Sequence, residues 1–144
     1  MLLLIFISVT GLVLSAVIHF SSLFHIYEPP SGLMMLMNIS IMVVFYPAYI
    51  VSKKTLDEKN VKDFKKAISG ACPDGLLVMN GFIIMYALGW LIFFIFKRYF
   101  DSSVITNWQR IMVSSGYWMA FYSLVFTLLY SCRRLKKHTL VDGG

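Results

Sequence analysis

Four stretches of this chain contain no aspartate, glutamate, lysine or arginine: Leu2–Phe24, Gly32–Val51, Gly75–Phe96 and Ile111–Cys132. Each is 20 to 23 residues long, and the 13 basic and 7 acidic residues all lie outside them. About 20 helical residues cross a hydrocarbon core of roughly 30 Å. Four buried helices of a water-soluble bundle would each need a polar face, and none of these stretches has a charge to put on one. With 58% hydrophobic and 14% charged residues in 144 positions, so short a chain could not hide its apolar surface from water. The expected fold is a single all-α domain, residues 1–144, forming a transmembrane four-helix bundle. Its helices should lie near 2–24, 32–51, 75–96 and 111–132. The first stretch reads as a retained helix rather than a cleaved signal peptide, because Met1 runs into Leu2-Leu3-Leu4 without a basic residue.

The loops set the orientation. Residues 25–31 hold Pro29-Pro30, which forbids helix continuation, so the first two helices should form an antiparallel hairpin. Four spans put both termini on the side of the long loop, 52–74. That side carries Lys53, Lys54, Lys59, Lys62, Lys65, Lys66, Arg133, Arg134, Lys136 and Lys137, against Lys97, Arg98 and Arg110 opposite. By the positive-inside rule both ends, the long loop and the tail at 133–144 are cytoplasmic. Within the loop, Leu56, Val61, Phe64, Ala67 and Ile68 recur at near-helical spacing among the lysines. This pattern reads as a short amphipathic helix on the inner leaflet, with a solvated basic linker as the competing reading. The net charge of +6 needs no nucleic acid to explain it, since basic residues normally flank membrane spans.

Small residues mark helix contacts in lipid, because apolarity does not favour protein over lipid there. Ser8, Gly11, Ser15, His19 and Ser22 share one face of the first span, and Gly116, Ala120, Ser123, Thr127 and Ser131 one face of the last. Both stripes are expected to face the bundle interior. The second span adds Asn38 and Pro47, the third Asn80, Gly81 and Gly89, with Asn80 pointing inward to find a partner. Trp90, Trp108, Trp118, Tyr27, Tyr46, Tyr49 and Tyr99 read in part as interfacial anchors. Cys72 and Cys132, at the cytoplasmic ends of their spans, read as buried thiols rather than a disulfide.

His19 is the ionisable side chain set well inside a span, which makes it a candidate for function. A proton relay or an external metal site with His25 is one reading. The favoured one is a neutral imidazole hydrogen-bonded across the bundle to Tyr or Ser on the last span. Haem between histidines fails because His19 and His25 share one helix end and His138 lies in the tail, which leaves a His–Met pair as the haem reading. Met34, Met35 and Met37 near His25 suggest copper(I) ligation by thioethers, but methionine is more often a packing residue. No cofactor is expected. The acidic residues are scattered over loops and no phosphate-binding glycine loop occurs, so catalysis is not expected. No carboxylate lies in a span, which removes the coupling group that small multidrug exporters rely on.

The stretch Gly116-Tyr-Trp-Met-Ala-Phe-Tyr-Ser123, followed by Leu129-Tyr-Ser131, resembles the last helix of a family of small four-span bacterial inner-membrane proteins. The outer turn Leu23-Phe-His-Ile-Tyr-Glu-Pro-Pro30 is similar to theirs too. The resemblance implies a bacterial inner-membrane location and no particular activity. The leading expectation is a non-enzymatic protein acting through contacts with the bilayer and with a protein partner or itself, as an accessory subunit or an immunity-type protective factor. A small oligomeric transporter or channel is the alternative, and a membrane metal or haem protein the third.

Overall fold

The structure, a computed structural model, describes residues 1–57, 70–100 and 106–141. Among these residues there are four helices: α1 Leu2–Leu23, α2 Ser31–Asp57, α3 Asp74–Phe100 and α4 Asn107–Val141. Each has a segment long and apolar enough to cross a membrane. The amphipathic segment expected around Lys59, Lys62, Lys65 and Lys66 lies outside the described residues.

Three of the helices outrun the uncharged stretches. Lys53 and Lys54 sit on α2, Lys97 and Arg98 in the last turn of α3, and Arg110 near the start of α4. Charge bars a residue from hydrocarbon but not from a helix, and continuing the helix keeps the backbone hydrogen-bonded through the headgroup layer. Residues 52–57, expected in the long loop, therefore belong to α2. Ser52 and Thr55, expected in that loop, are buried instead. Their hydroxyls donate to the carbonyls of Ala48 (2.7 Å) and Val51 (2.8 Å), so neither needs water.

The helix ends have local causes. The carbonyls of Pro30 and Pro73 accept the first helical N–H bonds of α2 and α3. Thr106 and Gln109 cap α4 reciprocally: the Thr106 N–H donates to Gln109 Oε1 at 3.2 Å, and the Gln109 N–H donates to Thr106 Oγ1 at 3.4 Å. This capping box starts the helix four residues before the uncharged stretch. At the end of α1, His25 takes a left-handed backbone (φ 55°). Its N–H donates to the Ser22 carbonyl and that of Ile26 to the Ser21 carbonyl. The pair is a Schellman motif, in which His25 holds the place glycine usually takes.

The arrangement is three helices around one rather than a square bundle. Of the apolar window in each span, 56% is buried for α4, against 22% for α1, 22% for α2 and 6% for α3. α4 packs against all three others, while α1 and α2, joined by the Pro-Pro turn, touch each other much less. The expected hairpin is thus weakly packed on itself, because each arm finds its main contact on α4. Gly11 opposes Tyr122 and His19 opposes Ser115, so α1 runs antiparallel to α4. Ala87 opposes Gly116 and Asn80 opposes Ser123, so α3 does too.

Trp118, expected in part as an interfacial anchor, is fully buried. Its indole N–H donates to Asn38 Oδ1 at 2.8 Å, which removes the need for a headgroup partner. Gly81 and Gly89 are not contact points: a Cβ on either would meet nothing within 4 Å. The outer faces of α1, α2 and α3 carry exposed Phe6, Met42, Phe82 and Met85. Contiguous apolar exposure on this scale suits lipid and not water.

Candidate functional site

All five small or polar residues singled out on α1, Ser8, Gly11, Ser15, His19 and Ser22, are buried. The structure shows what four of them meet, and among the described residues the buried Ser22 hydroxyl finds no hydrogen-bond partner. Ser8 and Ser15 donate to the carbonyls of Leu4 (2.7 Å) and Gly11 (2.6 Å) on their own helix, leaving a nearly smooth surface. Gly11 receives the ring of Tyr122, which is 2% exposed and whose hydroxyl bonds Ser40 Oγ on α2. The stripe on α4 turns largely to α3: Gly116 lies against both Ala87 of α3 and His19 of α1, and the Ser123 hydroxyl donates to Asn80 Oδ1 at 2.7 Å. Thr127 is buried and bonded to its own helix, and Ala120 is half-buried. The two stripes therefore meet at His19 and Gly116 and part elsewhere, where Gly11 receives Tyr122 of α4 and Ser123 meets Asn80 of α3.

His19 is fully buried where α1, α3 and α4 converge. Its Nδ1 lies 2.9 Å from Ser115 Oγ and its Nε2 2.7 Å from the Tyr86 hydroxyl. Ser115 O–H is within 2.7 Å of the Ile111 carbonyl, a strong acceptor with no proton of its own. With that proton committed, Nδ1–H donates to Ser115, and in a neutral ring Nε2 accepts from Tyr86 O–H. Both ring nitrogens are occupied, and the tyrosine comes from α3 rather than from the last span. The rings of Tyr86 (5.3 Å) and Trp90 (6.3 Å) stand edge-on to it. A proton entering at Tyr86 would pass through His19 and Ser115 and stop at a helix carbonyl. Among the described residues this chain of hydrogen bonds crosses between helices and does not lead across the membrane.

The other metal candidates are dispersed. Met37 is 2% exposed in the core, Met35 is 65% exposed and Met34 is half-buried; close positions on a helix point in different directions. His25 is exposed, serves as the cap of α1 and lies 4.9 Å from the Trp108 ring, centroid to centroid. No three His, Cys, Asp or Glu side chains converge among the described residues. Cys72 and Cys132 are both buried and unbridged. Lys53 and Lys54 are exposed at the end of α2.

Tyr86, Ser115 and Tyr122 were not singled out from sequence. Ser115 adjoins the Gly116 stripe and Tyr122 adjoins Ser123, one residue off the small-residue pattern. Looking for large residues at helical spacing beside that stripe would have found Tyr122.

Because α2 and α3 both lean on α4 and scarcely touch each other, a lateral cleft of about 280 Å³ remains between them. Its floor is α4 from Val113 to Leu124, one wall is Ile84, Ala87, Leu88 and Leu91 of α3, and Asn38 stands on the α2 side. Asn38 and Ser114 bring polar groups to a lining that is otherwise mostly apolar. Comparison with known protein families, curated proteins and solved structures finds no match to this chain.

Proposed function

We propose that this chain is a non-enzymatic, multi-pass membrane protein that works by holding another membrane protein, as an accessory subunit or an immunity-type protective factor. The observation that carries the reading is the uneven burial of its helices. α3 buries only 6% of its apolar window and turns Phe82, Met85 and Gly89 outward. Gly89 offers the close approach that helix contacts in lipid require. The buried polar groups support the same reading, since His19, Asn80 and Trp118 are all engaged in interhelical hydrogen bonds. The location is a bacterial inner membrane with both termini cytoplasmic, supported by the ten-to-three distribution of basic residues.

Photo-crosslinking in native membranes tests the proposal. A photoreactive residue at Met85 should yield a discrete adduct with a second polypeptide, and one at Phe6 on α1 should yield only lipid adducts. Lipid adducts alone from both positions refute it.

A further inference from the structure

Beyond one end of the cleft between α2 and α3, helical register places two arginines. On α3 its wall residues Ile84 and Leu91 are seven apart, and the same face reaches Arg98 seven residues later. On α4 the floor residue Ser114 is preceded on its own face by Arg110, four residues earlier. α3 and α4 are antiparallel, so both arginines stand at the same end. From the Ala87–Gly116 pairing they differ in height by about five residues, or ~7.5 Å at 1.5 Å per residue. Both are exposed.

We infer that the cleft holds one acyl chain of an anionic phospholipid, with its phosphate between Arg98 and Arg110. The apolar lining matches an alkyl chain, and Ser114, about one turn below Arg110, lies where a glycerol ester would pass from hydrocarbon to headgroup. One guanidinium on the α3 wall and one on the α4 floor, at the same end of the cleft, match a phosphate, which accepts paired N–H donors. The lipid completes the packing that α2 and α3 leave open and ties α3, the least buried helix, to the rest. The inference stands apart from the partner-binding role, since the cleft and the outward face of α3 are different surfaces.

Native mass spectrometry of the full chain in mild detergent tests it. Phosphatidylglycerol and phosphatidylcholine of identical acyl composition are titrated separately. One phosphatidylglycerol molecule should be retained per chain, and phosphatidylcholine bound much more weakly. R98Q/R110Q should weaken phosphatidylglycerol retention by about thirtyfold, roughly fivefold for each basic residue lost at an anionic surface. Leu88→Trp, at a 45% exposed cleft residue, should block both lipids without disturbing the fold. Equal retention of the two lipids by the wild type overturns the inference, as does full retention by R98Q/R110Q. A lipid-free dimer would mean that a second copy covers the cleft and would overturn it as well.

Discussion

Gly11→Ala adds one methyl group where α1 lies directly against the Tyr122 ring of α4. The new Cβ would stand 2.6 and 2.7 Å from Cζ and Cδ1 of Tyr122, and closer still to Cε1. The ring cannot retreat freely, because it is 2% exposed and its hydroxyl is bonded to Ser40. Either α1 moves off α4 or Tyr122 rotates and gives up that bond. Overpacking of this kind costs about 1–3 kcal/mol, and an interhelical hydrogen bond in a membrane protein averages ~0.6 kcal/mol. Gly11→Ala should therefore destabilise by about 2 kcal/mol. Equilibrium unfolding in mixed micelles, followed by the fluorescence of buried Trp118, measures it. Gly89→Ala is the control, since its Cβ meets nothing within 4 Å, and it should be neutral. In a Tyr122→Leu background the Gly11→Ala cost should largely disappear, because neighbouring substitutions that share a contact are not additive. The reasoning fails if Gly11→Ala stays within about 0.5 kcal/mol of wild type, the usual range for a harmless substitution. It fails equally if the cost is undiminished without the tyrosine.

Two further outcomes are expected. His19→Leu should cost about 1–2 kcal/mol for the two lost interhelical bonds, and His19→Ala should cost more because it also leaves a cavity; unfolding in which leucine is the worse replacement would contradict this packing role. Glu28→Cys in the outer turn should react with a membrane-impermeant maleimide in intact cells, and Lys53→Cys only after permeabilisation, with buried Cys72 and Cys132 giving little background. The reverse pattern would invert the proposed orientation.

The four spans were legible in the residues alone because hydrocarbon rejects charge whatever the tertiary arrangement, so the absence of charge across 20 to 23 positions marks each one. Helix ends were less legible, since Lys54 or Arg98 stops a span without stopping a helix; the signal at Thr106–Gln109 lay in the capping pattern, not in hydropathy. Packing partners were hardest. Gly11 and Gly89 are the same residue in similar apolar surroundings, yet one receives Tyr122 and the other faces outward. Trp118 has the composition of an anchor and the position of a core residue. Lipid is as apolar as leucine, so hydrophobicity cannot rank the faces of a membrane helix. Only shape and hydrogen-bond complementarity do so, and these arise when particular side chains meet. The choice of α4 as the central helix, and of His19, Ser115 and Tyr86 as one cluster, belonged to that encounter and to the tertiary structure alone.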